Sequence, residues 1–304
     1  MLRRIDQAER SAREIMTFSE ILKYACVLRS RGFEISFYFY RSDALRAAEA
    51  LLPDGSRIYA PRDFFEYPDS QPVDDNEKTL IYSRERSLRF IQIAPYIGRD
   101  PTPEIAPGFA GKTVNNIGDF ECMRAMTAPA EPSLSLCGDV GLNVYNAASA
   151  SAYYELSGGT LSSVALSPEL DADSQFELAR RIRLSNGPRP ELIVYGRVPV
   201  MRSEHCVVSG LGNILPGEGD VLRAAFDACS PSRNCGRCRK GGTFYLEGEK
   251  DLVYPVMPLP DVCGCLILSP SKVDLLERVC SFADAEEVGR PIARFNIFDE
   301  VFDL

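Results

Sequence analysis

Ten cysteines and a single histidine are the residues of this 304-residue chain best suited to metal or redox chemistry. Six of the cysteines, Cys206, Cys229, Cys235, Cys238, Cys263 and Cys265, crowd into residues 206–265, three within the stretch CSPSRNCGRC. The pair Cys235–Cys238 puts two sulfurs on one turn, with Gly236 easing the bend. With Cys206 and Cys263 it forms C-x28-C-x2-C-x24-C, a four-thiolate set suited to tetrahedral zinc or to an iron–sulfur cluster. Spacing does not choose between the two metals, nor between Cys263 and Cys265 as the fourth ligand. Cys26, Cys122, Cys137 and Cys280 fall inside helix or strand patterns and read as core residues. His205 precedes Cys206, but neighbours on an extended segment face opposite ways, so they do not make a nucleophile and base. With no second histidine, neither a Ser–His–Asp arrangement nor a histidine-rich zinc site has the residues it needs.

A net charge of −9 argues against a general nucleic-acid-coating surface, which needs an excess of lysine and arginine to displace counterions. A local basic run, Arg233, Arg237, Arg239 and Lys240, remains, and such runs are also common in solvated loops. The amino-terminal residues are charged throughout and carry no apolar leader pattern. No run approaches the eighteen apolar residues of a membrane span. The expectation is therefore a cytoplasmic protein with reduced thiols, where clustered cysteines mean metal or redox chemistry rather than disulfides.

The elements that must position these residues alternate between strand and helix. A helical pattern over 5–31 precedes the aromatic, β-branched run FEISFYFY (33–40), and SDALRAAEALL (42–52) reads as a serine-capped helix. Strand-like runs follow at 56–61, 88–95, 112–118, 136–146, 161–168 and 191–200, with helical patterns at AASASAYYELSG and ELDADSQFELARRIRLS. Seven short apolar runs separated by helix-length segments point to a parallel sheet, and over this length to a closed β/α (TIM-like) barrel. From about 205 the rhythm gives way to cysteines, glycines and short β-like pieces (GTFYLEG, DLVYPVM, CGCLILSP). The expected organisation is a helical segment over 1–32, a barrel over 33–204, and a small cysteine-rich α+β module over 205–304. That last part would end in a helix at SKVDLLERVCSF and an acidic-aromatic tail, RFNIFDEVFDL.

Taken in order, GDVGLNVYNAASASAYYELSG, SSVALSPEL, ELIVYGRVPVMRSEHC, the cysteine pair and VCGCLILS resemble the U-32 peptidase family, the collagenase-like proteins. RFIQIAPYIGRD and TVNNIGDFECMRA resemble that family's middle strands, so the likeness runs over about 33–276. It is nearest to the carboxy-terminal half of the longer members. The family label implies a metal-dependent peptidase. Better-understood relatives imply oxygen-independent hydroxylation of transfer-RNA uridine, ribosomal-RNA cytidine or the ubiquinone ring, with a [4Fe-4S] cluster on four cysteines and prephenate as hydroxyl source in the RNA reactions. The resemblance assigns Cys206, Cys235, Cys238 and Cys263 as cluster ligands. It departs from the shorter members at RVPVM (197–201), where those carry a further cysteine.

In β/α barrels the carboxyl ends of the strands face the active site. Here those ends carry Asn115, Asn116, Asn143, Asn146, Ser167, Glu169, Tyr195 and Arg197. Arg197, Tyr195 and Glu169 are the catalytic candidates, and Asn116, Asn143, Asn146 and Arg197 the substrate-binding ones. Arg197 leads because its planar fork suits a carboxylate or phosphate. Turn and cap chemistry is the competing reading of the asparagines, and a first-turn carboxylate that of Glu169. The sequence thus points to an iron–sulfur barrel protein hydroxylating RNA, or an accessory to one, with a partner subunit or the local basic run supplying RNA affinity. The rivals are the peptidase and a zinc-stabilised scaffold.

Overall fold

The computed structural model describes residues 2–3, 16–65, 87–94, 105–126, 134–185, 187–203, 244–248, 252–259, 264–281 and 290–298. The chain divides into two units, Met1–Glu14 with Arg197–Lys272, and Ile15–Gly196 with Val273–Leu304. Its strands are β1 (Leu2–Arg3), β2 (Glu34–Phe39), β3 (Arg57–Ala60), β4 (Arg89–Gln92), β5 (Gly111–Val114), β6 (Ser135–Gly138) and β7 (Leu161–Ala165). After these come β8 (Arg189–Gly196), β9 (Pro199–Ser203), β10 (Phe244–Glu247), β11 (Val253–Leu259), β12 (Gly264–Leu268), β13 (Val273–Asp274) and β14 (Ile292–Ile297).

The larger unit is a closed barrel of eight parallel strands. Strands β2 to β8 follow one another around the ring, and β14 closes it by pairing with β2 on one side and β8 on the other. The period-two pattern of each strand explains the closure. In β2, Ile35, Phe37 and Phe39 belong to the apolar cluster under the helices, while Ser36 and Tyr38 bond to groups of other strands across the barrel. In β14, Ala293, Phe295 and Ile297 join the same outer cluster, and Phe295 stacks on Phe37 with centroids 5.5 Å apart.

Helix α1 (Phe18–Ser30) starts at a capping box, with the Glu20 amide donating to the Thr17 hydroxyl at 3.3 Å and the Thr17 amide to the Glu20 carboxylate at 2.8 Å. It buries Phe18, Ile21, Ala25 and Leu28 against β2 and β14. The part of the expected helix before residue 16 lies outside the described residues. Helix α2 (Ser42–Ala48) and a 3-10 turn (Glu49–Leu51) occupy the expected helical stretch, but Arg41 stands at the cap and makes no side-chain cap bond. Helices α3 (Ile117–Met126), α4 (Ala147–Leu156) and α5 (Ala172–Leu184) link the later strands, and the short α6 (Leu276–Ser281) leads to β14.

Two expectations give way here. The stretch read as an acidic-aromatic tail contains the eighth barrel strand, because its alternation sends Arg294 and Asn296 inward while its apolar residues pack outward. The barrel therefore does not end at residue 204; it resumes at Val273, beyond the other unit. Gly196, at the end of β8, has φ +105° and sits where a Cβ would lie 2.0 Å from the Asn296 carbonyl oxygen, so only glycine lets β8 and β14 meet there.

Among the described residues the smaller unit is a five-stranded antiparallel sheet in the order β1-β10-β11-β12-β9. Val256, Cys265 and Ile267 form its buried core, with Phe244, Leu246 and Tyr254 packed on them. Cys265 lies opposite Ser203, Leu259 opposite Gly264 and Phe244 opposite Val256. The end of β9, the start of β10, the end of β11 and the start of β12 therefore share one end of this sheet.

Candidate functional site

The interior of the barrel is polar. Arg57 reaches across from β3 to the Ser163 hydroxyl of β7 at 2.6 Å and lies 3.5 Å from the Cys137 sulfur of β6. Its other amine pairs with Glu34 at 3.2 Å, and Arg189 closes on the same carboxylate from β8. Glu191 accepts from the Ser36 hydroxyl at 2.7 Å and from the Tyr59 hydroxyl at 2.6 Å. Arg57 and Glu191 are almost fully buried, at 2% and 0% exposure.

A second group lies toward the carboxyl ends of the strands. Arg294 donates from Nη1 to Asp139 Oδ1 at 2.7 Å and from Nε to Asn296 Oδ1 at 2.9 Å. Its guanidinium carbon stands 4.0 Å from the centre of the Tyr38 ring and 5.1 Å from that of Tyr59. Tyr38 donates to the other Asp139 oxygen at 3.3 Å, and the Asn296 amide donates to the Tyr40 hydroxyl at 3.4 Å. Tyr40 in turn packs edge-on against Phe298.

The electrostatics keep these groups in fixed states. Burial alone would lower the guanidinium of Arg294, but Asp139 and then Glu191 outweigh it and hold the group charged, well above its ordinary value. Arg57 is likewise held up against its burial by Cys137, Tyr59, Glu191 and Glu34. Burial, with Cys137 and Glu191 adding to it, pushes the Tyr59 phenol well above its ordinary value, so it stays protonated and serves as a donor. This arrangement can orient and hydrogen-bond a ligand in a low-dielectric setting.

At the rim, Val144 pairs with Leu166 and both face the outer apolar cluster, so Tyr145 and Ser167 take the opposite, mouth-facing side. The exposed Tyr145 hydroxyl donates to the exposed Glu169 carboxylate, and this bond raises the phenol above its ordinary value.

The candidates read from the sequence fall in three groups. Glu169 lies at the rim, where Tyr145 holds it. The asparagines mostly do turn and cap work. Asn146 accepts from the Ser149 amide at 2.8 Å and caps α4, and Asn116 accepts from the Asp119 amide at 3.2 Å at the start of α3. Asn143 holds a left-handed turn, φ 48°, at the end of a 3-10 turn. Asn115 is buried, spanning the Ala94 carbonyl at 3.4 Å and the Gly141 amide at 3.2 Å. Tyr195 is buried in the main apolar cluster. Arg197 opens the smaller unit and donates to the carbonyls of Ser269 and Pro270 at 2.7 and 2.9 Å, so its fork ties a backbone turn. Cys206, Cys235, Cys238, Cys263 and His205 lie outside the described residues, as do Cys229 and the basic run at 233–240.

The sequence reading missed Arg57, Asp139, Glu191 and Arg294. The signal was present: each sits in or directly after a strand-like run as a polar residue amid apolar ones, Arg57 and Tyr59 in SRIYA, Glu191 in ELIVY, Arg294 and Asn296 in ARFNI. In a strand covered by helices on one face, a polar residue at every second place faces the barrel interior.

No protein-family profile matches the chain, and no curated protein does. Among solved structures, it is similar to a U32 peptidase at 12% identity, over 88% of this chain and 94% of that one, with a TM-score of 0.42. It is also similar to the YdjI aldolase from Escherichia coli K12, at 13% identity over 56% of this chain and 69% of that one, with a TM-score of 0.33. A thiamine phosphate pyrophosphorylase from Pyrococcus furiosus matches at 13% identity over 54% and 75%, with a TM-score of 0.32.

Proposed function

We propose that this chain is an iron–sulfur protein of the U-32 peptidase kind that takes part in oxygen-independent hydroxylation of an RNA base. One observation carries the cluster. The stretches 204–243 and 260–263, which hold Cys206, Cys235, Cys238 and Cys263, both attach to the same end of the five-stranded sheet, at Ser203, Phe244, Leu259 and Gly264. Cys265 is packed against Val256 and Ile267 within the sheet, which favours Cys263 as the fourth ligand of a four-thiolate cluster. When bound, the cluster would supply electron transfer.

The hydroxylation part rests on the ordered motifs LNVYN, LSPEL and VYGRVPVMRSEHC, with prephenate as the hydroxyl donor they imply. In the barrel, Arg294, Asp139 and the tyrosines would orient the substrate, and the interior would exclude water around it. The net charge of −9 assigns RNA affinity to a partner subunit or to the run at 233–240. Peptide hydrolysis is the weaker reading, because the chain's one histidine, His205, leaves no histidine-based nucleophile or zinc site.

The test is anaerobic purification with iron, sulfide and zinc analysis and a visible spectrum, followed by mass spectrometry of RNA nucleosides from a deletion strain. A broad absorbance lost in Cys235→Ser or Cys238→Ser, together with a missing hydroxylated nucleoside, supports the proposal. One zinc per chain and no iron would overturn it in favour of a zinc-stabilised scaffold.

A further inference from the structure

We propose that Arg294 anchors an uncharged ligand through a carbonyl oxygen in the carboxy-terminal half of the barrel, which rests on reading that end as the substrate site. Arg294 is 0% exposed, and two of its three nitrogens are fixed by Asp139 and Asn296. The third, Nη2, is buried and has no acceptor among the described residues. A buried guanidinium N–H left without an acceptor is costly, so a rigidly held, unpaired donor is a binding valence waiting for an oxygen. Arg57 Nε is also unpaired, but that guanidinium bonds toward Glu34 at the amino-terminal end of β2. Arg294 bonds to Asn296 near the carboxyl end of β14 and to Asp139 just past β6, the end where barrel ligands bind.

Charge decides what kind of oxygen fits. The buried cations Arg57, Lys112 and Arg294 are already matched in number by the buried carboxylates Asp119, Asp139 and Glu191, and Glu34 is shared between Arg57 and Arg189. A ligand carboxylate would bring an uncompensated negative charge next to Asp139, whereas a neutral carbonyl adds none. Tyr40 and Phe298, each 5% exposed with centroids 6.0 Å apart, add aromatic surface beside Asn296. A planar ring bearing an amide or ring carbonyl matches both features.

Nicotinamide and nicotinate share a ring and differ in this charge, so they serve as probes on the full-length protein, with binding followed by calorimetry. Nicotinamide should bind the wild type, nicotinate should bind on the order of tenfold more weakly, and Arg294→Lys should lose nicotinamide by on the order of tenfold while keeping its circular dichroism. Should Arg294→Lys fail to fold, a wild-type crystal soaked in nicotinamide decides. The amide oxygen on Nη2 upholds the proposal, and a water there, or the ligand elsewhere, overturns it. Nicotinate binding as tightly as nicotinamide, or no nicotinamide binding at all, also overturns it. Iron content and RNA hydroxylation are read separately, so failure here leaves the cluster proposal standing, and failure there leaves this one.

Discussion

Replacing Asp139 by asparagine keeps the shape of the side chain and removes the charge opposite Arg294. Both side chains are 1% exposed and their closest atoms are 2.7 Å apart, so solvent screens them little. With charge centres about 4 Å apart and an effective dielectric near 20, the attraction is about 4 kcal/mol. Removing one partner of such a pair costs about 3–5 kcal/mol, because the other is left as a buried, uncompensated ion. In a unit of this size each kcal/mol lowers the melting temperature by about 2–4 °C, so Asp139→Asn should melt roughly 6–20 °C lower. Urea denaturation followed by circular dichroism gives the free energy directly. The double variant Asp139→Asn/Arg294→Met removes both charges and should recover a substantial part of the loss. A single-variant cost below about 1 kcal/mol would refute the reasoning, since exposed pairs behave that way. So would a double-variant cost equal to the sum of the two single ones.

Burial alone would raise the Glu34 carboxyl, but Arg57 and the bond from Arg189 bring it below its ordinary 4.5. Its contribution to stability is therefore complete above that value and is lost as pH falls through the lower folded value, so Glu34→Gln should flatten the acid limb of a stability–pH curve. Asn146→Ala should cost about 1 kcal/mol in urea denaturation through loss of the α4 cap, and should leave nicotinamide binding unchanged. Cys263→Ser should abolish iron binding by metal analysis. Cys265→Ser should retain iron and instead lower the melting temperature, because it puts a hydroxyl between Val256 and Ile267.

The barrel was legible in its first seven strands because most of them combine β-branched or aromatic residues with turn signals at their ends. FEISFYFY and ELIVYG show this most plainly. The eighth was hidden by the same feature that matters functionally, since an arginine and an asparagine inside IARFNI look like surface residues until a closed ring gives them an interior to face. Strand-end counting singled out Asn116, Asn143 and Asn146 by position, but the side chains of Asn116 and Asn146 satisfy backbone amides at helix starts, and Asn143 supplies a left-handed backbone turn. The alternation turns Arg57, Glu191 and Arg294 toward one face, but which groups they meet is set by contacts that span 106 to 155 positions of chain. Local pattern carries no such information.

That distance has a kinetic meaning. The Tyr40–Asn296 contact joins residues 256 positions apart, and β14 is translated only after the whole of the other unit. Until it arrives, β2 and β8 have unsatisfied edges and Asp139 has no cation, so a ring of seven strands must wait open on the ribosome. Ring closure is thus a late, high-contact-order event, and the last strand brings both the missing hydrogen bonds and the missing charge. Chaperone dependence during synthesis should therefore be greatest in the interval between the completion of β8 and the emergence of Arg294.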